Sequence, residues 1–274
     1  MQLDWPHISA RFINFVQIIV LLTLMGSCEE IIDVNLKNAS SKVVIESFIT
    51  TSNDPLMVKI TESQGFFDQS DFVPVKNALV DLEYLTKNER LIERGGGYYT
   101  SSNMKGVPGR TYTLKVSSAG ATFEATVELP ASVPIDTVYF KPGIFKSDSL
   151  NIFVEFSDPS ATGNYYRLKL YRNRRYAVND YYLATDAFSN GEKMVLPVYY
   201  RYFAPHDTIV VELQNLERST WKYFKGLNET IQQGVNSQAP GNPLSNFTSG
   251  ALGVFGAYGS STYKAIIPGK TGKK

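Results

Sequence analysis

The stretch Arg110-Thr111-Tyr112-Thr113-Leu114-Lys115-Val116-Ser117-Ser118, Ala119-Gly120, Ala121-Thr122-Phe123-Glu124-Ala125-Thr126-Val127-Glu128-Leu129 decides the fold. Polar and apolar residues alternate on both sides of Ala119-Gly120, so Tyr112, Leu114 and Val116 share one face. Two such runs joined by a two-residue turn predict a β-hairpin, and Pro108-Gly109 turns the chain into it. Upstream, Lys42–Thr50, Leu56–Ser63 and Ala78–Thr86 carry the same period, with Asn53-Asp54-Pro55 as the turn between the first two. Gly95–Ser101 adds another run. Six or seven short strands over about 90 residues, without a helical period, predict a β-sandwich at 42–130.

Downstream, Leu129–Pro134 holds two prolines and no period, which predicts an inter-domain hinge. Strands are expected at Ile135–Lys141, Ser149–Asp158, Asn164–Arg172, Met194–Phe203 and Asp207–Leu216, with a glycine-studded one at Gly250–Ile267. One helix is expected near 219–233, because Trp221, Phe224, Leu227 and Ile231 fall on one face and Gly234 suits its C-cap. The expectation is an all-β chain of two β-sandwich-like domains in tandem, at 42–130 and 135–267, with one short helix in the second. Residues 268–274 read as a tail.

Composition narrows the function. Across 274 residues, a net charge of +1 supplies no field for gathering nucleic acid, so no nucleic-acid partner is expected. Two His and one Cys leave no basis for His/Cys metal clusters or a disulfide framework. A nucleophilic triad needs a positioned base. Beyond the leader only His206 is available, at a turn, and no Gly-x-Ser-x-Gly elbow occurs. The reading is therefore non-enzymatic, with no catalytic residues, no metal and no cofactor.

Phe12–Met25 is a 14-residue uncharged run, too short to span a bilayer, which needs about 20 apolar residues. It follows Arg11 and runs into Gly26, Ser27 and the only cysteine, Cys28, so 1–27 reads as a secretory signal. Leu24–Cys28 resembles a bacterial lipobox, in which the Cys28 thiol takes up diacylglycerol and the peptide is cut before it. Glu29 and Glu30 resemble the acidic signal that sends Bacteroidota lipoproteins to the cell surface. Residues 28–41 then read as a lipid tether, reaching about 40 Å at roughly 3.3–3.6 Å per residue. The expected location is the outer membrane, lipid-anchored and facing outward.

Aromatic density exceeds what one sandwich face needs. Tyr165, Tyr181, Tyr182, Tyr199, Tyr200 and Tyr202, with Tyr171, Arg172, Arg174, Arg175 and Tyr176 around a hairpin tip, form the candidate contact surface. Tyr and Arg suit a protein interface or sugar stacking. A large second core with tyrosine hydroxyls reaching water accounts for the same rings equally well.

In order, the Cys28-Glu29-Glu30 start, Lys42–Thr50, the glycine- and tyrosine-rich Gly95–Val116, Val133–Val138 and the late Gly241–Asn246 with Gly250–Gly259 resemble a Bacteroidota lipoprotein family, domain of unknown function 4249. The resemblance covers essentially the whole chain after the leader. It implies an N-terminal sandwich of the transthyretin or carboxypeptidase-regulatory kind, a second β domain, and a gene commonly beside a TonB-dependent transporter. It supplies no catalytic residues. The function expected from it is an accessory or binding subunit of an outer-membrane β-barrel transporter; the alternative is a stand-alone surface module that binds glycan or another ligand.

Overall fold

The alternation read along the chain becomes pleated sheet in the computed structural model, which describes residues 41–65, 70–102, 104–142, 150–177, 182–198, 203–233 and 242–269. The first half runs β1 (Val43–Thr50), β2 (Met57–Glu62), β3 (Leu79–Tyr84), β4 (Lys87–Arg90), β5 (Ile92–Gly95), β6 (Tyr98–Thr100), β7 (Thr111–Ser118) and β8 (Ala121–Glu128). The second runs β9 (Thr137–Pro142), β10 (Leu150–Ser157), β11 (Tyr165–Arg172), β12 (Arg175–Tyr176), β13 (Tyr182–Thr185), β14 (Lys193–Val198) and β15 (Thr208–Leu216). A single helix, α1 (Arg218–Gln233), and a long strand, β16 (Leu252–Ile266), complete it. The chain is nearly all β, with several sheets and this one helix among the described residues.

The deciding hairpin forms as its period demands. Ser118 pairs with Ala121, and Ala119 and Gly120 both take positive φ, 49° and 78°, as a two-residue hairpin turn with the right-handed twist requires. Tyr112, Leu114 and Val116 are buried with Phe123 and Val127 opposite.

Two cores result. The first lies between β1, β2 and β6 on one side and β3, β7 and β8 on the other, built on Ile45, Val58, Ile60, Leu82, Tyr99, Tyr112 and Leu114. The second lies between β11 and β15 and the small sheet β14-β10-β9, built on Ile152, Val154, Phe156, Tyr166, Leu168 and Leu213. Both rest on one nine-stranded sheet in the order β12-β11-β15-β16-β1-β2-β6-β5, with β13 also paired to β11. The described residues pack as one unit.

β16 joins the halves. Leu252–Tyr258 pairs in parallel with Val44–Thr50 of β1, and Tyr258–Ile266 pairs antiparallel with β15. Tyr258 stands opposite both Thr50 and Leu216. Phe255 and Ala257 accordingly sit in the first core, so the last strand divides between the two sandwiches and does not belong wholly to the second. Leu129–Pro134, expected as a hinge, is clamped beneath it. Leu129 and Val133 are buried, the Asn215 side chain donates to Ala131 O at 3.0 Å, and Ser261 Oγ donates to Val133 O at 2.6 Å. At Gly259 a Cβ would stand 2.5 Å from the Ala131–Ser132 backbone, so only glycine allows this approach.

The free edge of the first half of β16 is satisfied by two side chains and one backbone N–H. The Asn246 amide donates to Phe255 O and accepts from Phe255 N. Thr220 Oγ1 accepts from Ala257 N at 2.9 Å, and Glu217 N donates to Ala257 O. Glu217 also caps α1, its carboxylate accepting from Ser219 N and Thr220 N. Thr220 is fully buried. Thr220→Val keeps its shape but strands the Ala257 N–H, and is expected to cost about 1–3 kcal/mol in urea unfolding. An unchanged midpoint would remove α1 from the account of how this edge is closed.

The helix buries Tyr223 and Phe224, with Trp221 and Leu227 packed beside them on Leu216 and Val254. Ile231, expected on the same face, is 55% exposed, because the last turn extends beyond its cover. Gly234 and residues 270–274 lie outside the described residues.

Candidate functional site

Strand β11 buries Tyr166, Leu168 and Leu170 in the second core, so Tyr165, Arg167, Lys169 and Tyr171 point to the opposite face of the large sheet. Register carries this face across the neighbouring strands in rows. Tyr176, Tyr171, Val210 and Lys264 form one row; Lys169, Glu212 and Thr262 the next; Arg167, Gln214 and Ser260 a third.

Chemistry concentrates around Glu212. Its carboxylate accepts from Tyr171 OH at 3.1 Å and from the Gln214 amide at 2.7 Å, and lies 3.6 Å from Lys169 Nζ. Lys169 Nζ stands 5.2 Å from the Tyr171 ring centroid and 5.6 Å from that of Tyr176, two rings 5.6 Å apart. Burial, then the nearby Glu212 charge, pushes the Tyr171 phenol up to about 12. Burial and Glu212 do the same to Tyr258, also to about 12. The Arg167 guanidinium stands over the ring of Phe224 in α1, 4.1 Å from its centroid. The result is a sheet face of tyrosine rings, cations and one hydrogen-bonded carboxylate.

The tip beyond it is a two-residue turn at Asn173-Arg174, both at positive φ. Arg172 pairs with Asp207 at 2.6 Å. Asp207 also accepts from the Asn173 amide at 2.7 Å and Ala204 N at 2.7 Å. Burial opposes ionisation of Asp207, but the bonds from Asn173, Ala204 and Arg172 outweigh it and hold the carboxyl below its ordinary range. A depressed carboxyl contributes stability above its unfolded-state value, near 3.8, and loses it as pH falls further through the folded value. The stability gap between the protein and Asp207→Asn, read by urea unfolding, is therefore expected to be widest near neutrality and to close below about pH 4. A gap that stays constant down to pH 2 (about two units below the carboxylate range) would contradict the linkage.

The structure places the residues of the expected contact surface in different settings. Tyr176 is 42% exposed, Arg174 and Arg175 are exposed, and Tyr171 is half-buried beside them. Arg172 is spent on Asp207. Tyr165 is half-buried: its ring packs on Trp221 at 5.0 Å, because α1 covers this end of the sheet. Tyr182 is half-buried against the second core. Tyr181, Tyr199, Tyr200 and Tyr202 lie outside the described residues, as do Cys28, Glu29 and Glu30. Tyr166, beside Tyr165, is wholly buried and its hydroxyl donates to Asp158.

Sequence reasoning missed the polar partners Lys169, Glu212 and Gln214, which alternation alone would have placed beside Tyr171. It also missed Tyr139 and Phe153 on the outer face of the small sheet. These rings stack at 5.3 Å with 9° between planes, and Lys141 stands 5.0–5.3 Å from both. Tyr139, out of phase with the inward Val138 and Phe140, was the signal.

Fold and face together define an all-β protein of two sandwiches sharing one strand, with a tyrosine- and cation-bearing sheet face. The chain belongs to the family described as a domain of unknown function, DUF4249, which matches residues 29–264. No curated protein matches it. Among solved structures, a segment of two fibronectin type-III domains from chicken tenascin is similar at 8% identity, covering 83% of this chain and 99% of that one, with a TM-score of 0.23. Among the described residues no helix is long and apolar enough to cross a membrane.

Proposed function

We propose that this chain is a non-enzymatic lipoprotein of the outer membrane, anchored through Cys28, that serves as an accessory subunit of a β-barrel transporter. The observation that supports this reading is the outward row of Tyr176 and Tyr171 with Lys169 and Glu212. Tyrosine supplies contact area at low entropic cost, and the exposed Arg174 and Arg175 add charge for orientation. Family membership supports the setting without naming a ligand. The test is a mild-detergent pull-down of the tagged lipoprotein from its native outer membrane. A barrel in fixed stoichiometry is expected, and Tyr176→Ser combined with Lys169→Ser is expected to weaken its retention at least about tenfold, or about 1.4 kcal/mol. Recovery of the lipoprotein alone, under conditions that hold other barrel complexes together, would overturn the reading.

A stand-alone glycan-binding module is the second reading, favoured by one observation. Tyr176 lies beside the Lys169 ammonium, itself 3.6 Å from the Glu212 carboxylate, and a stacked sugar can use such a pair for its hydroxyls. Binding of free oligosaccharide without a barrel partner would establish it.

A further inference from the structure

The outer face of the large sheet continues across its first half with other residues. Along β1, Glu46, Phe48 and Thr50 alternate with the buried Ile45, Ser47 and Ile49, so they point away from the first core. With Asp54 of the following turn, Met57 and Lys59 of β2, and Tyr258 of β16, they border an open groove of about 410 Å³. The groove lies where β16 passes from one sandwich to the other.

Its floor and bank are aromatic. Phe48 stacks on Phe224 of α1 at 5.5 Å with 10° between planes, and its ring lies 6.1 Å from Tyr258. Met57 is 53% exposed at the rim. The charges are acidic at both ends. Glu46 accepts only from Tyr223 OH, at 3.4 Å, and Asp54 from Ser52 Oγ and no cation. Among the described residues neither carboxylate has a basic partner. Lys59 stands directly across from Glu46, but its ammonium lies against the rings of Phe72 and Tyr98, at 5.4 and 6.0 Å.

Spacing fixes the shape of the occupant. Glu46 and Thr50 are two steps of the strand period apart, about 13 Å at roughly 3.3 Å per residue, and Asp54 lies beyond Thr50 on the turn. Two anionic points, one on the strand and one on the turn beyond it, thus share the groove with Phe48, Met57 and Tyr258, an arrangement that suits an extended chain. We propose that this groove docks an extended, basic peptide segment of a partner protein. Its cationic side chains meet Glu46 and Asp54, and an apolar side chain between them rests on Phe48, Met57 and Tyr258. This groove adjoins the Tyr171–Tyr176 face through Tyr258, but the proposal does not depend on the transporter reading. A lipid surface is the less suited occupant, since anionic headgroups meet two uncompensated carboxylates.

The test uses the full chain in mild detergent and fluorescence anisotropy of a labelled peptide with a Lys-Ser-Leu-Ser-Lys centre. The same peptide with Glu in place of Lys is the control. Saturable binding of the lysine peptide alone is expected, weakening with salt between about 0.1 and 0.5 M as screened charges require. Glu46→Gln with Asp54→Asn is expected to weaken it at least tenfold, and Met57→Ser, which leaves the charges in place, several-fold. Melting curves like that of the parent protein show that both variants fold. Equal binding of the glutamate peptide, or undiminished binding by the double variant, overturns the proposal. So does flotation with phosphatidylethanolamine–phosphatidylglycerol vesicles that depends on Met57 and Phe72 without peptide binding, which would assign the face to lipid.

Discussion

Replacing Gly253 by valine is expected to lower the melting temperature by about 10 °C, for a cost of about 3–4 kcal/mol in a unit of this size. Gly253 sits in the parallel ladder opposite Ile45 with φ of 91°, and a Cβ there would lie 2.1 Å from Ile45 O. A β-branched residue meets both the backbone strain and the clash, and neither neighbour is a side chain that can swing away. Gly163, at φ of 89° with nothing near its missing Cβ, separates the two costs. Gly163→Ala is expected to cost only about 1 kcal/mol. Because β16 serves both cores, the Gly253→Val transition should remain single, by calorimetry and by near-ultraviolet circular dichroism alike. A melt like the parent's would mean that β16 is not seated on β1.

Cys28→Ala is expected to move the protein almost completely from the membrane pellet to the soluble fraction. Each buried methylene contributes about 0.8 kcal/mol, and two acyl chains hold a protein stably where one does not. On the proposed anchoring, removing the only thiol removes the attachment site and the signal for cleavage together. Retention after a carbonate wash would show that lipid on Cys28 is not what holds the protein. That outcome would leave the groove at Glu46 and Asp54 untouched, since peptide binding there needs no anchor.

Strands with a buried face were legible because alternation is a local property. Lys42–Thr50 became Val43–Thr50, Arg110–Ser118 became Thr111–Ser118, and the helix expected at 219–233 begins one residue earlier. β4 and β5 were not legible. Lys87–Arg90 and Ile92–Gly95 are mostly polar and exposed, and their pairing is dictated by the neighbours β3 and β6. The parallel pairing of β16 with β1 joins residues some two hundred positions apart, and no turn encodes its register. The glycines of that strand were visible, but their reason was not, because Ile45 O and the Ala131–Ser132 backbone reach them only in the folded chain.

Which tyrosine rings face outward was half legible for the same reason. Tyrosine pairs such as Tyr165-Tyr166 do place rings on both faces of a strand, as the sequence implied. Which face meets water depends on where α1 lands, and it lands on Tyr165 through Trp221. The ring left outward, Tyr176, gains its significance from Lys169 and Glu212, which are brought together by register across β11 and β15.

The most direct test of the proposed role is site-specific photo-crosslinking in intact cells, with a photoreactive phenylalanine at position 176 and, separately, at position 188. Phe188 is fully exposed, in the turn after β13. A crosslink to an outer-membrane β-barrel is expected from position 176, lost when Lys169 is also changed to Ser, and none from position 188. Crosslinks of equal yield from both positions, or none from 176 while the barrel is present, would contradict that role.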